Sequence, residues 1–312
     1  MKIICLARNS MGTDKSPAGS RKEGNVVTED GIEQSALSST LADTNHDEIA
    51  VKVSNLSYSY RVWVTKVSPN CLSNIDLEIV SGSRVLVVGL NGAGKSTLLS
   101  ILGGRKLIPA ESVHIFGRSA FHDLALQKNV LYLSDPWKHE YCYDISVKSL
   151  LKSHIGTERF NYLVDILDID LSWSLSLISD GQRRRCQLLA NLIEKKDVYI
   201  LDEVTSDLDL LAREGLMRLL QTESEDRKAT VMYATHIFDN MEEWPTHILY
   251  LRKGRVECFS ELNSLQAYID LKNRKVFSPL FELIRNWFFL EKKNQGKLSQ
   301  LCNGNEQGAL TV

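Results

Sequence analysis

The 312 residues, 43% of them hydrophobic, are enough for a substantial core and leave room for one large or two modest domains. A net charge of −2 gives no global basis for binding nucleic acid or an anionic membrane surface. Six scattered cysteines without a C-x-x-C pair argue against a disulfide scaffold or zinc site and favour a reducing compartment, and no apolar run approaches the ~18 residues of a membrane span.

Residues 1 to about 48 are rich in Ser, Thr, Asp, Glu, Asn and Gly, and read as a disordered tail. The opening Met1-Lys2-Ile3-Ile4-Cys5-Leu6-Ala7-Arg8 has too short an apolar core for a signal peptide. Order is expected to begin near Ile49. Val51 to Tyr60 alternates as a strand, and Ile75, Leu77 and Ile79 alternate again. Ser81-Gly82-Ser83 then turns into Arg84-Val85-Leu86-Val87-Val88, a continuous apolar run of the kind a buried parallel strand uses.

Next comes Gly89-Leu90-Asn91-Gly92-Ala93-Gly94-Lys95-Ser96-Thr97, a G-x-x-x-x-G-K-[ST] loop. A helical pattern with Leu98, Leu99, Ile101 and Leu102 follows it and stops at Gly103-Gly104. Strand–loop–helix is the context a phosphate loop needs. Glycines let the backbone close on a phosphate, and amides at a helix N-terminus face its charge. Lys95 is placed to reach the β- and γ-phosphates, and the Ser96 hydroxyl to ligate Mg²⁺. A nucleotide-binding α/β domain follows.

Val113 to Gly117 and Val130 to Leu133 read as further strands. Ser146 to about Ile169 reads as helix, as does Asp180 to about Glu194, where Cys186, Leu189, Ala190 and Ile193 share a face. Val198-Tyr199-Ile200-Leu201 is a buried strand ending in Asp202-Glu203, at the sheet edge where open α/β sheets bind ligands. A helix with Leu216, Leu219 and Leu220 precedes the buried strand Thr230 to Thr235, which ends at His236. Ile248 to Leu251 and Arg255 to Glu257 form a hairpin. The signal then weakens until one amphipathic helix at about 278–293, carrying Phe281, Leu283, Ile284, Trp287, Phe288 and Leu290; the last ~15 residues read as disordered.

Four motifs after the phosphate loop narrow the reading. Ile178-Ser179-Asp180-Gly181-Gln182 resembles the LSGGQ signature of ABC ATPases. Val198 to Asp202 followed by Glu203 resembles a Walker B strand with its adjacent catalytic acid. Thr205-Ser206-Asp207-Leu208-Asp209 looks like the D-loop, and His236 falls where the switch histidine of that family falls. Tyr60 matches the aromatic A-loop position, where it stacks on a nucleobase or, in the blander reading, packs on a strand face. The likeness covers about residues 49 to 258. It implies a P-loop NTPase of ABC type, with an N-terminal antiparallel β-subdomain, a helical subdomain inserted at about 136–195, and a C-terminal extension from 259.

The resemblance implies ATP and Mg²⁺ as ligands. Tyr60, Gly89, Asn91, Gly92, Ala93, Gly94, Lys95, Ser96 and Thr97 would bind nucleotide, with Ser96 and Asp202 on the metal. Glu203 would serve as general base, and His236 would contact the γ-phosphate and orient Glu203, alongside Lys95. Ser179, Gly181 and Gln182 would reach nucleotide held by a second subunit, so a head-to-tail homo- or heterodimer with two sandwiched ATP molecules is expected.

Two departures stand out. Asp180 replaces the first signature glycine; an acid suits a helix start, so binding should survive. The Q-loop glutamine is missing, and Tyr132-Leu133-Ser134-Asp135-Pro136-Trp137 occupies its region. That weakens the reading as a detached transporter subunit and leaves open whether Asp135 takes over the metal contact.

Longer strings, including Leu167 to Trp173, Leu201 to Asp209 and Tyr233 to Asp239, resemble the soluble ABC ATPases of the Ccr–Not-associated group and the plant non-intrinsic class. The Trp287 helix resembles that group's C-terminal end. This implies an ATPase acting on a protein complex, with Ccr–Not as the candidate, in the cytoplasm or the nucleus. A scaffold that binds ATP without turnover and an Fe–S assembly ATPase are the other readings. Arg183-Arg184-Arg185 is expected to be a solvated face or a cross-dimer contact rather than a nucleic-acid site.

Overall fold

Two antiparallel strands, β1 (Ile49–Tyr58) and β2 (Leu72–Val80), precede the phosphate loop in the computed structural model, which describes residues 48–60, 71–138 and 144–293. Apart from residue 48, the tail expected over residues 1 to about 48 lies outside the described residues, as does the one expected over the last ~15. The alternation of β1 slips between Val53 and Leu56, where Asn55 has a φ of 47° and its amide donates to Asp76 Oδ1 at 2.8 Å. β4 (Val113–Ile115) pairs with β1, and β5 (Arg118–Ser119) with β4, completing a four-stranded sheet in the order β2-β1-β4-β5.

The second sheet holds the site. It contains β3 (Arg84–Val88), β6 (Val130–Leu133), β7 (Val198–Asp202), β8 (Thr230–Ala234), β9 (His247–Arg252) and β10 (Arg255–Glu261), in the order β10-β9-β3-β8-β7-β6. β9 and β10 are antiparallel; the other pairings are parallel. Every residue of β3, β7 and β8 is buried. Their side chains alternate between two cores. Leu86, Val88, Tyr199 and Leu201 enter one, and Val85, Val87, Val198 and Ile200 the other. A sheet covered on both faces accounts for the unbroken apolar runs.

Helix α1 (Lys95–Leu102) follows the phosphate loop and packs on the second of these cores. The stretch read as one helix from Ser146 to Ile169 is broken. It comprises α2 (Val147–Leu150), a short 3₁₀ turn and α3 (Glu158–Ile166). Gly156, at φ 86°, ends the first part, and Thr157 caps the second by accepting the Phe160 amide. α4 (Asp180–Leu192) and α5 (Leu210–Arg227) flank β7 in sequence.

The C-terminal boundary expected at 258 falls inside β10, because Phe259, Ser260 and Glu261 continue the ladder with Leu249, Ile248 and His247. Two helices, not one, follow: α6 (Gln266–Asn273) and α7 (Pro279–Lys292). Tyr268 is the one fully buried residue of α6, too little apolar burial to mark a helix in sequence. α7 docks through Trp287, whose ring stacks on Tyr250 with centroids 4.9 Å apart.

Candidate active site

Close contacts at Gly89 and Gly94 of the phosphate loop admit no side chain there. A Cβ on Gly89 would stand 2.4 Å from the Leu251 carbonyl oxygen. Gly94, at φ 104°, would bring one within 2.7 Å of Leu72 Cδ2. Ala93 donates to the Leu90 carbonyl at 3.0 Å and accepts from the Gly254 amide at 2.9 Å, so the β9–β10 turn props the loop. Asn91, Gly92 and Ser96 are exposed at its crest. Lys95 Nζ folds over the loop and donates to the Gly89 carbonyl at 2.7 Å. Burial pulls its pKa down, and the charges of Glu203 and Asp202 oppose that shift.

Asp202 ends β7 and is buried, with the Ser96 hydroxyl donating to its carboxylate. Burial pushes its pKa up; the Ser96 bond and Lys95 pull the other way. Its Oδ1 is buried and has no hydrogen-bond partner among the described residues. An orphaned carboxylate oxygen beside a hydroxyl fits a hard dication. Among the described residues, no cluster of three or more His, Cys, Asp or Glu side chains could hold a metal. The remaining ligands would therefore come from phosphate and water, as is ordinary for Mg²⁺.

Parallel pairing of Asp202 with Ala234 brings the ends of β7 and β8 level. Glu203 and His236 leave those ends and meet, with Nδ1 to Oε1 at 2.8 Å. Glu203 has a φ of 51°, and its amide donates to the Ala234 carbonyl at 2.9 Å. Tyr60 lies beside α1; its hydroxyl and that of Thr97 are 2.9 Å apart, and the residue is 43% exposed.

Ser179, Gly181 and Gln182 form a separate group at the tip of α4. Ser179 Oγ accepts the Gln182 amide at 3.3 Å, and Gln182 Oε1 accepts the Ser179 amide at 3.0 Å, a complete capping box. Gly181 leaves room for the Asp207 carbonyl, which a Cβ would approach to 2.9 Å. Asp180 pairs with Arg183, so the acid in the glycine's place is locally neutralised. Among the described residues none of the three hydrogen-bonds the phosphate loop.

The arginine run is not a solvated face. Arg183 and Arg184 are 3% and 1% exposed, and Arg185 pairs with Asp168 and Asp209. Their charge is spent inside the chain, on the carbonyls and carboxylates that surround α4. Arg184 and Gln187 are the residues sequence reasoning missed. Their signal is polar side chains three apart on a face otherwise given to Cys186, Leu188, Leu189 and Leu192. Asp135 is exposed; its charge helps raise the Asp202 pKa, and its carbonyl accepts from Gln187.

The family model described as "ABC transporter" matches residues 72–206. ABC transporter I family member 20 of Arabidopsis thaliana is 40% identical over 265 residues, covering 79% of this chain and 78% of the relative. The chain belongs to the ABC ATPase family. It is an ATP hydrolase of the ABC type. CCR4-associated factor 16 of Saccharomyces cerevisiae is 35% identical and covers 79% of this ATPase and 91% of its own length. In fold, the ATPase resembles the ATP-binding subunit of an ABC transporter, with a TM-score of 0.59, 22% identity, and 71% and 94% of the two chains covered. It also resembles the cassette MJ0796 in a dimeric state bound to ADP and Pi, with a TM-score of 0.54, 22% identity, and 68% and 98% covered. No helix among the described residues is long and apolar enough to cross a membrane.

Proposed function

We propose that this ABC ATPase hydrolyses MgATP in a head-to-tail dimer and uses the cycle to drive or time the assembly of a protein complex. In this reading Gly89 to Thr97 cradle the phosphates, Lys95 neutralises their charge and Tyr60 stacks on the base. Ser96 and Asp202 hold the Mg²⁺ shell, which supplies Lewis-acid stabilisation of the transferring phosphoryl group. Glu203 takes a proton from water as that water attacks the γ-phosphorus. The bond from the γ-phosphorus to the β-phosphate oxygen breaks, and ADP leaves with its electron pair. His236 holds Glu203 in line.

The observation that carries the reading is the division of the site. Lys95, Ser96, Asp202, Glu203 and His236 gather at one sheet edge, while Ser179, Gly181 and Gln182 sit on a separate exposed helix tip. Such a tip suits an anion brought by another subunit. Among possible partners, the likeness to a CCR4-associated factor favours the Ccr–Not complex, in cytoplasm or nucleus.

The test compares MgATP turnover with that of Lys95→Ala. Turnover no higher than in that variant would end the enzymatic reading. Glu203→Gln with ATP should double the mass seen by light scattering; a monomer contradicts the sandwich. Affinity purification of that trapped form should recover Ccr–Not subunits. Recovery of an integral membrane protein instead would favour a transporter subunit.

A further inference from the structure

Besides Arg183, helix α4 turns Arg184 and Gln187 into the protein, at 1% and 4% exposure. They lie three residues apart and so share a face. Arg184 Nη1 donates to Gln187 Oε1 at 2.7 Å. Its other donors leave the helix, Nε to the Val204 carbonyl at 3.0 Å and Nη2 to the Glu203 carbonyl at 3.3 Å. Gln187 Nε2 donates in turn to the Asp135 carbonyl at 2.9 Å. The bonds run without a break from the Asp135 carbonyl, two residues past the end of β6, to the carbonyls of Glu203 and Val204.

Burying a guanidinium is expensive, and an apolar side chain of similar volume would fill this face at lower cost. What the guanidinium does there is geometric. Glu203 sits at φ 51°, a left-handed conformation disfavoured for a residue with a Cβ. Its amide is fixed by the Ala234 carbonyl, and its own carbonyl by Arg184. With both flanking peptides held, the side chain is directed to His236 Nδ1. A planar fork can hold two successive carbonyls at once, which an ammonium cannot do with the same rigidity.

We infer that Arg184 is a positioning residue for Glu203, and that Gln187 is the anchor that sets the orientation of its guanidinium. This rests on Glu203 being the general base. Arg184 is buried and donates to two backbone carbonyls and to Gln187; it acts through the backbone that aims the carboxylate. Displacing a reacting group by about 1 Å can lower a rate on the order of 10²-fold, so the effect belongs in kcat.

The experiment uses the full chain carrying Arg184→Lys, which keeps the charge but loses the fork, and separately Gln187→Met, which keeps the volume but loses both amide contacts. Each should lower kcat roughly 10-fold or more while KM and the dissociation constant for MgATP stay within about two-fold. In a Glu203→Gln background neither change should lower the residual turnover further, since the group being aimed is already gone. Turnover unchanged in both variants, with Glu203→Gln inactive, overturns the positioning role alone. So does a loss that tracks reduced MgATP binding or a reduced folded fraction by circular dichroism, and so does a full additional loss in the Glu203→Gln background. Full turnover by Glu203→Gln itself removes the base assignment and this inference with it.

Discussion

His236 Nδ1 lies 2.8 Å from Glu203 Oε1, although the two residues leave different strands. The His236 side chain is 71% exposed, so packing does not force the contact. What brings them together is strand register and the left-handed turn at Glu203. If Glu203 is the base, Glu203→Gln should lower kcat by roughly 10²–10⁴-fold. His236→Ala should cost about 10–10² through lost alignment. The double variant should be little worse than Glu203→Gln alone, because the two act as a unit. Steady-state phosphate release in the four proteins checks this, and losses that multiply would mean separate roles.

Asp202 has a buried carboxylate oxygen with no hydrogen-bond partner among the described residues. Because burial raises its folded pKa, the ionised form costs stability in the absence of a cation. That cost is absent below the unfolded value near 3.8 and develops as pH rises through the raised folded value. Asp202→Asn should therefore melt at a higher temperature than wild type at pH 7 without ligand, and the advantage should close on acidification. With MgATP the order should reverse, since the variant lacks the charge that holds the metal. Differential scanning fluorimetry at pH 7 and pH 4, with and without MgATP, measures both. An advantage of equal size at the two pH values would rule out ionisation as its cause.

Much of this was legible in the chain because its signals are local. The phosphate loop, the apolar runs of β3, β7 and β8, and the acids after Leu201 each announce themselves within ten residues. The serine cap of α4 is equally plain, since Ser179 and Gln182 stand at capping-box spacing. What stayed hidden depends on distant partners. Three successive arginines look like a solvated face until Glu203, Val204, Asp168 and Asp209 are folded against them. The break at Gly156 was masked by leucines on both sides that kept helical spacing.

Tyr60 offers a test of base recognition that is separate from the phosphates. Its hydroxyl is 2.9 Å from Thr97 Oγ1, and the residue is exposed. Stacking on a base contributes about 1–3 kcal/mol, so Tyr60→Ala should weaken ATP binding roughly 10-fold. Tyr60→Phe keeps the ring and loses one half-exposed hydrogen bond worth about 1 kcal/mol at most, so it should bind nearly as wild type. Inorganic triphosphate, which has no base, should compete equally well in all three. Equal ATP affinity for Tyr60→Ala and wild type would place base recognition elsewhere.

Glu223 on α5 joins its helix to α3 through charge. It is 4% exposed and receives Arg159 from α3 and Arg227 one turn along its own helix, and the Tyr199 hydroxyl stands 3.4 Å away. Arg159 Nε also donates to the Leu192 carbonyl at 2.8 Å, tying in the end of α4. Burial alone would raise the Glu223 pKa, but the bonds from Arg159 and Arg227 outweigh it and hold the carboxyl below its usual 4.5. Glu223→Gln leaves both guanidinium groups facing a neutral amide. Removing one partner of a buried pair costs about 3 kcal/mol, which for a chain of this size is a fall in Tm of roughly 6–12 °C. A depressed carboxylate contributes above its unfolded pKa and loses that contribution as pH falls through the folded one. The gap between wild type and Glu223→Gln should thus be constant from neutral pH down to about 5 and narrow below 4.5. Urea denaturation across that range reads it directly, and a gap that persists undiminished at the acid end would assign the loss to packing rather than charge.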